Sequence, residues 1–125
     1  MNDSVANIIR KACNDVRSNG IQIQRGIWFE WSGTKIIACD ALGAVLIAHN
    51  AIPENINPLD VNTLSRPGFT KAICIILDVD TYWLRNFWMG FDRNYQIVML
   101  DDKEKIIGKE EISKFGISLW RELNK

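Results

Sequence analysis

The side chains able to do chemistry in this sequence gather mainly in one stretch. Asp78 and Asp80 flank Val79 directly after the apolar run Ile73–Leu77, and the next residues include Tyr82, Trp83, Arg85, Asn86 and Trp88. That second group mixes aromatic, cationic and amide side chains, which suits binding rather than bond-making. The one histidine, His49, follows the apolar run Leu42–Ala48, at what reads as a helix end, where a cation favours the dipole. No serine or cysteine lies in a nucleophile motif near it, so His49 is expected to end a helix rather than act as a base. The three cysteines, Cys13, Cys39 and Cys74, are widely separated and lie in apolar surroundings. A metal site would want ligands paired two to four residues apart, so these read as buried thiols of a reducing compartment. Gly33 and Gly43 belong to no phosphate loop, because neither a Gly-Lys-Ser/Thr ending nor a Gly-x-Gly-x-x-Gly spacing occurs. No catalytic residue, metal ligand or cofactor site is expected.

The elements that must position these groups follow from composition and periodicity. The chain has 125 residues, 47% of them apolar, which suits a single domain spanning 1–125 with a core that requires neither disulfide nor metal. Fifteen basic and fifteen acidic side chains cancel, so no basic lobe advertises nucleic acid or an anionic membrane. The longest apolar runs fall far short of a membrane span, and the N-terminal residues lack the cationic start and apolar centre of a signal peptide. The expectation is a cytoplasmic protein without membrane contact.

Along the chain, Ser4 is expected to cap a helix that buries Val5, Ile8, Ile9, Ala12, Cys13 and Val16, with Asn19-Gly20 as its stop. Ile27, Phe29 and Trp31 alternate with Trp28 and Glu30, and the break Ser32-Gly33-Thr34 predicts a hairpin returning through Lys35–Ala38. Trp28 beside Glu30 is either a ligand surface or, more commonly, a tryptophan covered by a helix. Asp40 is expected to cap a short helix in which Gly43, Ala44 and Ala48 let another element come close. Asn50–Pro67 is the one long connection and a candidate binding edge. Tyr95–Leu100 fits a strand or a helical turn equally, and the last helix buries Ile112, Phe115, Leu119, Trp120 and Leu123.

Two resemblances bear on residues 72–92. Asp78-Val79-Asp80-Thr81 after an apolar run resembles the first motif of the haloacid-dehalogenase phosphatases, which implies Asp78 as nucleophile, Asp80 as general acid and Ile73–Asp78 as a strand. The family continues with Gly-Thr where this chain has Thr81-Tyr82, and the downstream Asp101-Asp102 comes too soon for the parallel sheet that fold requires. Read instead as a helix over Phe69–Leu77, a turn at Asp78-Val79 and a second helix capped by Asp80, residues 72–90 resemble the helix-turn-helix of phage-repressor type. Cys74, Leu77, Asp78, Val79, Asp80, Leu84 and Gly90 carry that resemblance. It implies a DNA-reading second helix, yet this one offers Thr81, Arg85 and Asn86 amid aromatics, with Asp78, Asp80 and Asp92 close by.

Five aromatics between Tyr82 and Phe91 are more than one helix face can hide. Trp83, Phe87 and Phe91 share a side, while Tyr82 and Trp88 drift from it and require other cover. The expected fold is α+β, a mostly helical single domain of about five helices with one small antiparallel hairpin. The expected function is a non-enzymatic binding or regulatory module acting through a protein partner or a second copy, with Tyr82, Trp83, Arg85, Asn86 and Trp88 as binding residues. The alternatives are a helix-turn-helix DNA-binding regulator and, behind it, a small enzyme of undefined class.

Overall fold

The computed structural model describes residues 3–52, 67–94 and 110–124, and the chain divides into two compact units, Asn2–Asp78 and Val79–Lys125. The fold is α+β and mostly helical, with five helices and one three-stranded sheet among the described residues. Residues 53–66, which make up most of the long connection, and residues 95–109, which include the run Tyr95–Leu100 where a strand or helical turn is expected, lie outside the described residues.

In the first unit, α1 (Asp3–Ser18) buries Val5, Ile9, Ala12, Cys13 and Val16 as its periodicity predicts, and Ala6 with them, whereas Ile8 at the edge of that face is half-buried. The helix begins at Asp3, so Ser4 sits in the first turn and is not the residue before it. Its end is the predicted one. Gly20 takes φ +83°, its N–H donates to the Arg17 carbonyl at 3.0 Å, and the Ile21 N–H donates to the Val16 carbonyl at 3.1 Å. This paired closure satisfies carbonyls that the helix itself leaves open.

The predicted hairpin is present as β2 (Phe29–Ser32) against β3 (Lys35–Cys39), antiparallel, with a register shift between Glu30 and Trp31. Gly33, at φ +63°, occupies the first position of a two-residue loop, where the mirror-image turns that suit strand twist favour glycine. The sheet is larger than a hairpin. β1 (Gln22–Ile23) pairs with β3 in parallel, Gln22 beside Ala38 and Ile23 beside Cys39, giving the order β1-β3-β2. A strand of two residues is too short to leave an alternation in the sequence, so only its partner reveals it.

Helix α2 (Ala41–Ala48) is buried at each residue from Ala41 to Leu46, as a helix apolar on all sides must be. Asp40 caps it, its Oδ1 accepting from the Gly43 N–H at 2.7 Å. A Cβ on Gly43 would collide with the Trp28 carbonyl, so the predicted close approach is real at that glycine, whereas Ala48 is exposed. Trp28 is 2% exposed. Its ring meets Phe69 of α3 (Pro67–Leu77) at 5.1 Å, and Phe29 meets Phe69 edge-on at 5.6 Å. Trp28 is therefore the covered tryptophan and not a ligand surface. Phe69, Ile73 and Leu77 bury the inner face of α3, and Asp78 ends it in the left-handed region at φ +55°.

Replacing Asp40 with alanine removes the cap of a buried helix start and is expected to cost about 1 kcal/mol. Urea unfolding of the full chain reads the loss, and Asp40→Asn, which keeps an acceptor oxygen, should recover most of it.

Candidate functional site

The candidate binding residues all lie on α4 (Thr81–Arg93), in the second unit. Asp80 starts this helix. Its Oδ1 accepts from the Trp83 N–H at 2.8 Å, and its carbonyl accepts from the Leu84 N–H at 3.3 Å. The helix ends at Asn94, which is left-handed at φ 57° and donates its N–H to the Gly90 carbonyl at 3.1 Å. Asp78 and Asp80 are thus a turn residue and a helix cap. Ile73–Leu77 lies within α3, so the strand that the phosphatase resemblance demands before these aspartates is absent, and that reading fails.

The inner side of α4 is set by contact with α5 (Glu110–Leu123). Trp83, Phe87 and Phe91 stack in series, with centroids 5.6 and 5.7 Å apart and ring planes within 18°. Phe87 then meets Phe115 at 5.6 Å, and Phe91 meets Trp120 edge-on at 5.5 Å. The two backbones nearly touch. A Cβ at Gly90 would overlap the Ser113 carbonyl, and one at Gly116 would lie 2.7 Å from the Phe91 nitrogen. Small residues at this crossing let large rings interdigitate on either side of it.

With those rings inside, the remaining candidates separate. Tyr82 is 37% exposed, Trp83 and Trp88 are half-buried, and Arg85 is exposed. Asn86, read from the sequence as a surface polar contact, is instead in the interior at 0% exposure. Its Nδ2 donates to the Tyr82 carbonyl at 2.8 Å, and its Oδ1 meets no hydrogen-bond donor among the described residues. A lone Asn in a helix carries no periodic signal that would mark it as inside.

Two residues of the outer face escape the sequence reading, which stops the second helix short. α4 runs on to Arg93, so Tyr82, Arg85, Met89 and Arg93 recur at helical spacing down one stripe, in which Met89 is half-buried and the other three are exposed. The Arg85 guanidinium lies 6.0 Å from the Tyr82 ring centroid, and that of Arg93 lies 5.1 Å from the Trp88 ring centroid. Among the described residues neither guanidinium forms an ion pair. The nearest acidic residues in sequence are withdrawn: the Asp80 carboxylate serves the cap, and Asp92 is buried.

Among the other described residues, His49 and two of the cysteines have structural places. His49 is the C-cap of α2, its Nδ1 2.9 Å from the Val45 carbonyl. Cys13 and Cys39 are buried and Cys74 half-buried. Burial pushes the Cys39 thiol far above its ordinary range, with neighbouring Asp40 and Cys13 adding to the effect. Among the described residues no group of three or more His, Cys, Asp or Glu is placed to hold a metal ion, and no helix is long and apolar enough to cross a membrane.

Comparison with protein-family models, with curated proteins and with solved structures found no match for this chain. A functional reading therefore rests on the outer face of α4.

Gly90→Ala is expected to destabilise the second unit by about 2 kcal/mol through overpacking at the crossing. Gly116→Ala should act similarly, and the double variant should lose less than the sum because both report one contact, as denaturant titration would show. Alkylation by iodoacetamide at neutral pH should modify Cys74 first. Cys13 and Cys39 should react only as the chain unfolds, a sequence that mass spectrometry of timed aliquots resolves.

Proposed function

We propose that the protein is a small non-enzymatic binding module that works through protein contacts, with the outer face of α4 as its contact surface. The observation that carries this reading is the pairing of Arg85 with Tyr82 and of Arg93 with Trp88 on the side of α4 away from its stacked rings. Tyr, Trp and Arg are the side chains that anchor protein interfaces, because each combines a broad apolar body with a directed polar group. Here they are adjacent, exposed or half-exposed, and raised on a helix held rigidly by a close crossing.

The DNA-binding alternative gains one cation over the sequence reading, since Arg93 joins Arg85 on the outer stripe. Two cations still neutralise only about two phosphates, which gives a weak and shallow salt dependence compared with specific duplex binders. Protein contact is the better fit to a face on which aromatic area accompanies so little charge.

The test places a photo-crosslinking amino acid at Tyr82, with Ser118 on the exposed side of α5 as control. Under irradiation in cells, position 82 should give discrete protein adducts, or an adduct of twice the chain mass if the partner is a second copy, and position 118 should give none. Adducts to nucleic acid at position 82 would transfer the face to the DNA reading, and no adduct there would remove it as a contact surface. Tyr82→Glu should abolish the adducting partner's capture while shifting stability by no more than about 0.5 kcal/mol, as exposed substitutions do.

A further inference from the structure

We infer that Asn19-Gly20, at the end of α1, is a site of spontaneous deamidation that the helix closure restrains and that breaks this closure once it has reacted. The site belongs to the first unit and does not depend on the reading of α4. No other asparagine in the chain precedes a glycine. With no side chain on the following residue, its backbone nitrogen can reach the asparagine side-chain carbonyl carbon, an approach that a Cβ obstructs. Both residues are exposed, so water has access to them.

The reaction needs nothing but water. The Gly20 nitrogen gives up its proton to solvent and bonds to Cγ of Asn19, the Cγ–Nδ2 bond breaks, and Nδ2 takes a proton and leaves as ammonia. Water then opens the resulting succinimide at either carbonyl, leaving aspartate or isoaspartate at position 19. The glycine that ends the helix is therefore also what makes its neighbour reactive. Gly20 stands at φ +83°, where other residues are strained, even though a Cβ there would meet nothing within 4 Å.

The closure engages both reacting groups. The Gly20 N–H donates to the Arg17 carbonyl at 3.0 Å, and Asn19 Nδ2 donates to the Asp15 carbonyl at 3.0 Å. Ring formation must give up the first bond and turn the amide away from the second, so it proceeds from the frayed helix end and not from the closed one. An aspartate at position 19 would replace the Nδ2 donor with a carboxylate beside the Asp15 carbonyl, at the negative end of the helix. Isoaspartate changes more. The backbone then runs through Cβ, one methylene longer before the Gly20 nitrogen, so the Gly20 N–H and the Ile21 N–H, which donates to the Val16 carbonyl at 3.1 Å, are carried off their acceptors. That displacement enters β1 directly, where Gln22 pairs with Ala38 and Ile23 with Cys39.

The experiment incubates the full chain at neutral pH and physiological temperature, native and unfolded in guanidinium chloride, and follows each asparagine by peptide mapping that separates aspartate from isoaspartate. Asn19 should convert before any other asparagine in both samples, and at least about tenfold more slowly in the native one, because only the opened fraction reacts. Hydroxylamine, which attacks the succinimide, should split the chain between residues 19 and 20, and Asn19→Gln should abolish both signals. Native-state hydrogen exchange reports the same opening: the protection of the Gly20 amide should match the slowing of deamidation to within about threefold. In the purified isoaspartyl form the Gly20 and Ile21 amides should lose that protection while the rest of α1 keeps it. Earlier conversion at another asparagine, or none at Asn19 in denaturant, overturns the site. Equal native and unfolded rates, or slow conversion beside an unprotected Gly20 amide, overturns the restraint by the closure, and an isoaspartyl form with unchanged exchange at Gly20 and Ile21 overturns the structural consequence.

Discussion

The near-contact of the α4 and α5 backbones is the constraint on which the candidate site depends. Gly90 leaves room for the Ser113 carbonyl and Gly116 leaves room for the Phe87 carbonyl and the Phe91 nitrogen, so the helices meet without side chains between them. Everything bulky must then lie beside the crossing, where Trp83, Phe87 and Phe91 form one stacked series closed by Phe115 and Trp120. Fixing that face inward fixes the opposite face outward. Tyr82, Arg85 and Arg93 are exposed because the packed rings fix the rotation of α4 about its own axis.

A similar economy governs the first unit. Gly43 admits the Trp28 carbonyl, which lets a wholly apolar α2 sink beneath the sheet connection and brings Trp28 and Phe29 onto Phe69. Several groups that look chemically able, among the described residues, hold such elements in place. Asp40 and Asp80 cap helices, His49 closes one, Asp78 turns the chain, and Cys13 and Cys39 fill core. Carboxylates that accept backbone N–H bonds at a helix start satisfy donors the helix cannot pair internally. On the outer side of α4, Arg85 lies over the Tyr82 ring and Arg93 over that of the half-buried Trp88.

Several of these features are legible in the sequence for definite reasons. Asn19-Gly20, Asp40 and Asp80 are local signals, since a cap or a stop acts within four residues of itself, and all three perform as their types require. Helical periodicity locates the inner faces of α1, α3, α4 and α5, because burying one stripe is a property of the helix more than of its neighbour. The strand β1 is not legible, as two residues cannot display a pattern. Nor is the burial of Asn86, whose polar type argues for the surface while its position on the helix places it inside. Arg93 lies past the point at which the aromatic pattern fades, so the outer stripe of α4 looks shorter in sequence than it is.

The sequence by itself determined the class of fold, the caps at Asp40 and Asp80, the stop at Asn19-Gly20, and the surplus of aromatics on α4 that no single face can hide. Those are properties of neighbouring residues and of repeat distances along one chain. Only the tertiary structure decided which aromatics are covered, that Trp28 belongs to the core, and that Arg85 and Arg93 stand over rings on one exposed side. The physical reason is that exposure depends on which backbones can approach, and that turns on contacts such as Gly43 with Trp28 and Gly90 with Ser113, between residues distant in sequence and brought together only by the fold.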